Sequence, residues 1–144
     1  MPYSAFKGNV VIITGASAGI GKELALQLAK QGAKLILAAR DSERLKVVAK
    51  ECEKLGGNSV CVKTDVTIKS QCKRLVEKTI KEFGRIDTLI NNAGLSMWAN
   101  FDELEDVEML KQIMDVNYMG SVYCTFFLFR ILKSRRGDWL VFPV

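Results

Sequence analysis

Val10-Val11-Ile12-Ile13 is an unbroken β-branched run, and a glycine-rich turn and an amphipathic segment follow it directly. A continuous apolar run of this kind predicts a strand buried on both faces, as in a parallel sheet. Thr14-Gly15-Ala16-Ser17-Ala18-Gly19-Ile20-Gly21 then leads into a helix through Lys30, with Ile20, Leu24 and Leu28 spaced for one face. Glycine permits a sharp turn and close backbone approach to a ligand, and the unpaired N–H groups and dipole of a helix start favour negative charge. Strand, turn and helix start together predict a pyrophosphate site. The spacing is Thr-Gly-x-x-x-Gly-x-Gly rather than the usual Gly-x-Gly-x-x-Gly fingerprint. Taken alone, the turn also fits the plain closure of a βα unit.

The rest of the chain repeats the pattern. Gly32 ends the first helix, and residues 33–39 read as a second strand. Asp41 opens a helix with Leu45, Val48, Cys52 and Leu55 on one face, and Gly56-Gly57 stops it. Residues 59–63 are a third strand, and Thr67 is the expected cap of a third helix carrying Cys72, Leu75, Val76, Ile80 and Phe83. Ile86-Asp87-Thr88-Leu89-Ile90 is a fourth strand, a long helix runs over residues 107–132 with a break near Asn117, and Trp139-Leu140-Val141-Phe142 is a fifth strand. Regular β-α alternation predicts an α/β fold: a Rossmann-like, doubly wound parallel sheet with right-handed crossovers. A length of 144 residues, 49% of them hydrophobic, suits a single domain with a proper core.

Composition narrows the chemistry. The net charge of +5 comes from Lys and Arg interleaved with Glu and Asp, as in Lys50-Glu51-Cys52-Glu53-Lys54, which is a solvated helix face rather than a nucleic-acid footprint. The chain has no His and no Cys-x-x-Cys among Cys52, Cys61, Cys72 and Cys124, which argues against a metal site and against a His-based dyad. The cysteines read as small buried apolar groups of a reducing compartment. Residues 1–7 lack the apolar core of a signal peptide, and residues 122–132, interrupted by Arg130, are too short to span a bilayer. The cytoplasm is the expected location.

Four stretches in register resemble the classical short-chain dehydrogenases/reductases: Thr14 to Gly21, Asp65-Val66, Asn91-Asn92-Ala93-Gly94 and Asn117. The resemblance covers residues 8–142 and implies the strand order 3-2-1-4-5. It also implies a dinucleotide cofactor bound by Thr14, Gly15, Ser17, Gly19, Ile20 and Gly21. Asp65 would face the adenine amino group, with Val66 against the ring, while Asn92, Ala93 and Gly94 would border the cofactor ribose. Asn117 resembles the family's catalytic Asn, which kinks its helix and frees a carbonyl to hold a water of a proton relay. The stretch from Met114 to Tyr123 looks like hydroxysteroid-dehydrogenase-like or ketosphinganine-reductase-like members.

The end of the second strand bears on cofactor choice. An acid there would accept from both hydroxyls of the adenosine ribose of NAD, whereas Arg would pair with the 2′-phosphate of NADP. By resemblance the acid's place is Ala39, and Arg40 occupies the NADP position, so NADP is the expected cofactor. Asp41 leaves NAD open, although it serves equally well as a helix cap. The implied reaction is hydride transfer between NADPH and a carbonyl or alcohol of a small molecule. Its general acid would be a Tyr-x-x-x-Lys pair beyond the fifth strand, with a Ser just after that strand. Pro143 and Val144 stand where the family has Ser-Ser, and the only Tyr-x-x-x-Lys, Tyr3 to Lys7, precedes the first strand. The chain therefore reads as the cofactor-binding part of such an enzyme, truncated after the fifth strand and inactive alone, with Asn117 its one catalytic-type residue. The alternative is a non-catalytic nucleotide-binding or interaction module, with an oligomer formed through the helix of residues 107–132.

Overall fold

The structure, a computed structural model, describes residues 5–135 and 142–143. Strand β1 (Val10–Thr14) is buried along its whole length. It lies between β2 (Lys34–Ala39) and β4 (Thr88–Asn91), parallel to both, with β3 (Asn58–Lys63) parallel to β2 on the outside. The sheet thus runs β3-β2-β1-β4. Most of the expected fifth strand, including Trp139 to Val141, lies outside the described residues; Phe142 and Pro143 pair in parallel with Ile90 and Asn91.

The β-branched run of β1 is continuous because both faces of the sheet are covered. Val11 and Ile13 pack with Ala25 and Leu28 of α1 (Gly19–Lys30) and with Leu45 and Val48 of α2 (Ser42–Lys54). Ile12 faces the other way, onto Cys72, Leu75 and Val76 of α3 (Lys69–Phe83) and onto Cys124 and Leu128. Residues one apart therefore serve two separate cores, as the period of a strand requires.

Three local expectations need correcting. Ile20 is 72% exposed, because it stands at the N-terminus of α1 above the sheet edge; Gly21, Ala25, Leu28 and Ala29 form the buried face. Leu55 lies past the end of α2 and is 37% exposed, and Ala49 takes the inward position. Thr67 does not cap α3, whose cap position is Ile68 with no side-chain bond. The Asp65 carboxylate captures Thr67 instead, its Oδ1 accepting from Thr67 N–H at 3.0 Å and from the hydroxyl at 2.7 Å. These two bonds close a local turn that points the Thr67 hydroxyl at Asp65 rather than at the first N–H groups of α3. Asp41 caps α2 as expected, with Oδ1 accepting from the N–H groups of Glu43 at 3.1 Å and Arg44 at 3.0 Å.

The long helix consists of α4 (Glu108–Met114), a π turn (Asp115–Met119) and α5 (Gly120–Arg135). The expected break at Asn117 is this π turn, an extra residue within an otherwise α-helical run. Cys52, Cys72 and Cys124 are buried and Cys61 is half-buried, all as free thiols. Burial pushes the Cys52 thiol up to about 11. A thiol–thiol hydrogen bond between Cys72 and Cys124 holds the first below and the second above the ordinary value.

Candidate functional site

The ends of β1, β2 and β4 open onto a crevice of about 650 Å³. It lies at the carboxyl edge of the sheet, where the chain passes from the β3 side to the β4 side of β1. Ligands of open parallel sheets bind at such a switch point. One wall is the turn after β1, formed by Gly15, Ser17, Ala18, Gly19 and Ile20. Gly15 and Gly19 have φ of +66° and +55°, which side-chain-bearing residues rarely adopt. Gly15 is needed for space as well, since a Cβ there would lie 2.8 Å from Ala93 Cα and 2.9 Å from Asn92 Nδ2. Gly21 lies behind the wall, where a Cβ would strike the Gly15 carbonyl and the Asn92 amide.

Helix α1 begins behind this turn without a side-chain cap and without an acid in its first turn. Its first N–H groups therefore keep their positive end for an outside anion. The charge of a pyrophosphate suits this uncapped helix start. Among the described residues, no cluster of His, Cys, Asp or Glu could hold a metal ion.

Thr14 does not line the crevice. Its hydroxyl is buried, donates to the Ile90 carbonyl at 3.4 Å and accepts from the N–H groups of Asn92 and Ala93, each at 3.0 Å. Asn92 returns the contact, its Nδ2 donating to the carbonyls of Thr14 at 3.0 Å and Gly15 at 3.3 Å. These bonds tie the turn after β1 to the turn after β4 and set the width of the cradle. Asn92, Ala93 and Gly94 form the wall on the β4 side. The neighbouring Asn91 points away from the crevice contacts, its Nδ2 donating to Thr125 Oγ1 of α5 at 3.1 Å.

Across the crevice, Ala39 ends β2 and Arg40 follows it, and Asp65 and Val66 follow β3. Arg40 is exposed and has no hydrogen bond or ion pair among the described residues. Asp41 is committed elsewhere: besides capping α2, its Oδ2 lies 3.4 Å from Arg44 Nε. Asp65 spends Oδ1 on Thr67, and its own N–H donates to Gln71 Oε1 at 2.8 Å.

Asn117 lies beside the crevice rather than in it. Its Oδ1 accepts from Leu95 N–H at 2.7 Å and its Nδ2 donates to the Leu95 carbonyl at 2.8 Å. Leu95, gripped in this way, lines the crevice. The Asn117 carbonyl, within the π turn, accepts from Ser121 Oγ at 3.2 Å.

Sequence reasoning missed Arg44, Thr64, Leu95 and Val116, all of which line the crevice. Only Arg44 carried a usable signal, standing one helical turn after Arg40 at the start of α2. Leu95 and Val116 are ordinary apolar residues, and their positions depend on the fold.

Comparisons with known proteins agree with this geometry. The family model for short chain dehydrogenase matches residues 9–142. The chain is 45% identical over 131 residues to 11-beta-hydroxysteroid dehydrogenase-like 4A of Arabidopsis thaliana, covering 90% of this chain and 44% of that protein. It is 43% identical over 136 residues to an 11-beta-hydroxysteroid dehydrogenase of Pinus massoniana, covering 94% of this chain and 38% of the relative. It thus spans less than half the length of these curated relatives. Among solved structures, a short-chain type dehydrogenase/reductase from Mycobacterium marinum superposes with a TM-score of 0.91 at 31% identity, over 97% of this chain and 56% of that one. With its parallel β3-β2-β1-β4 sheet and its glycine cradle, this chain belongs to the short chain dehydrogenase family.

Proposed function

We propose that this chain holds NADP(H) for an oxidoreductase that exchanges a hydride between the nicotinamide and a carbonyl or alcohol. The observation that carries the reading is the pairing of an uncapped glycine cradle with a partnerless Arg40 across one crevice. Two negative groups of an NADP molecule, the pyrophosphate and the 2′-phosphate, then meet one positive feature each. Ala39 offers no acid to the ribose hydroxyls, and Asp41, the only nearby carboxylate on that strand end, is occupied by α2 and Arg44. Bound NADPH supplies the hydride. The chain's residues orient it: Gly15 and Gly19 admit the phosphates, Val66 and Asp65 border the adenine, and Asn92 to Gly94 border the nicotinamide-side ribose. The strand order 3-2-1-4-5, with the sheet continued beyond β4, completes the proposed architecture. The relatives are named as 11-beta-hydroxysteroid dehydrogenases, which favours a secondary hydroxyl or ketone on a bulky apolar molecule as the substrate class.

Hydride transfer to a carbonyl also needs a proton for the developing alkoxide. No Ser or Tyr-x-x-x-Lys stands in the family's order within these 144 residues, and Asn117 can order a water but not supply that proton at neutral pH. Binding without turnover is therefore the proposed behaviour of this chain by itself. A second reading, a nucleotide-binding or interaction module, draws on the apolar surface of α5, where Phe126 and Phe129 are 44% and 52% exposed. That face would serve an oligomer. No helix among the described residues is long and apolar enough to cross a membrane, and the free thiols favour the cytoplasm. Titrating the chain with NADPH and with NADH, followed by nicotinamide fluorescence, tests the central reading: tighter binding of NADPH supports it, and no binding of either removes it.

A further inference from the structure

Gly120 opens α5 directly against Val66, which forms part of the crevice wall. A Cβ on Gly120 would lie 2.6 Å from Val66 Cγ2 and 2.9 Å from Val66 Cβ, closer than packed carbons ever approach. The backbone of Gly120 is ordinary helix, with φ of −58° and ψ of −45°. Glycine is unfavourable at such a helical position, so its backbone freedom explains nothing here. What excludes a side chain is Val66 alone.

Val66 has little room to retreat. Its carbonyl accepts from Cys72 Sγ at 3.3 Å. The residues on either side are pinned as well: Thr64 N–H donates to the Ala39 carbonyl at 2.9 Å, Asp65 N–H to Gln71 at 2.8 Å, and Thr67 is held by Asp65. Rotating a β-branched side chain would still leave its Cβ in the clash. The other neighbours of Val66 belong to the packed core of Ile36, Cys72 and Cys124, so the free volume beside it is the crevice itself.

We propose that Gly120 is a positioning residue for the bound nucleotide: its missing side chain lets α5 seat on Val66 and keeps Val66 out of the adenine end of the crevice. The inference rests on the dinucleotide reading above. It links the π turn to the cofactor, because the extra residue of that turn sets which position of the helix faces Val66.

The test measures binding of adenosine 2′,5′-bisphosphate, which carries the adenine and the 2′-phosphate, to the full chain. The variants are Gly120→Ala, Val66→Gly and the double variant, with thermal midpoints recorded for each. Gly120→Ala should weaken binding by at least about fivefold, the effect of forcing one extra methyl into a packed contact. The double variant should bind within about threefold of Val66→Gly, because removing the Val66 Cβ together with its methyl groups restores the space. A merely structural role for Gly120 would lower the midpoint and leave the affinity of folded protein unchanged. Binding by Gly120→Ala equal to the parent overturns the proposal, as does a double variant clearly weaker than Val66→Gly. If Gly120→Ala does not fold, the comparison of the double variant with Val66→Gly decides by the same criterion. Failure of the unsubstituted chain to bind the bisphosphate overturns the dinucleotide reading itself, and this proposal with it.

Discussion

Asn117 grips Leu95 by both of its backbone groups, accepting from the N–H at 2.7 Å and donating to the carbonyl at 2.8 Å. One side-chain amide thereby does for the segment after β4 what a neighbouring strand would do. It also couples the π turn of the long helix to the wall of the crevice. Asn117→Ala should lose this clamp, with faster amide exchange at Leu95 and a loss of about 1–2 kcal/mol in urea unfolding. Asn117→Asp retains the acceptor and loses the donor, so it should fall between the two. Unchanged exchange at Leu95 in Asn117→Ala would show that the segment is held by something else.

Thr14 is the other tie between the two turns. Thr14→Val keeps the shape and leaves the N–H groups of Asn92 and Ala93 without their acceptor. The expected cost is about 1–3 kcal/mol of stability, the penalty for unsatisfied buried donors. A loss of under about 0.5 kcal/mol in chemical denaturation, the range of neutral surface changes, would contradict this role.

How far the sequence could be read follows from where each signal lies. The run of Val10 to Ile13 marked the central strand because each residue meets a packed helix layer, whichever face it points to. The glycines of the turn were legible because their spacing reflects backbone geometry that no other residue accepts. Arg40 and Asp41 looked alike as charged residues at a strand end, and only the hydrogen bonds to Glu43 and Arg44 show that Asp41 is a cap. Thr67 reads as a cap because a β-hydroxyl before a helix is a generic cap signal, and the Asp65 carboxylate that accepts from its hydroxyl lies on the same short loop. The Asn117–Leu95 clamp and the Gly120–Val66 contact join residues far apart in the chain, so no local pattern announces them.

Alkaline pH should destabilise the chain. The Cys52 thiol is raised from 9.0 to about 11 by burial, so the folded state holds that proton where the unfolded state releases it. Its contribution is fully present below about pH 9 and is lost as pH rises toward 11. Cys61 shifts in the same direction for the same reason. The thermal midpoint of the parent should therefore fall across this window, and Cys52→Ala should show a shallower fall. Identical slopes for the two proteins would exclude Cys52 as a contributor.

Turnover should be absent from the chain alone. Purified protein with NADPH and a panel of ketones, aldehydes and steroids should show no loss of nicotinamide absorbance above the uncatalysed rate. General acid catalysis of the missing kind is worth about a hundred- to ten-thousandfold. Turnover that survives repurification and Asn117→Ala would reveal a proton donor elsewhere in these residues.

Arg40 is the proposed partner of a 2′-phosphate. Titration calorimetry of the parent and of Arg40→Asp with NADPH and NADH measures this in one experiment. Replacing the guanidinium by a carboxylate should weaken NADPH by about ten- to a hundredfold, the value of one charge-assisted contact, and change NADH far less. Equal losses for the two cofactors, or an unchanged affinity for NADPH, would contradict the assignment.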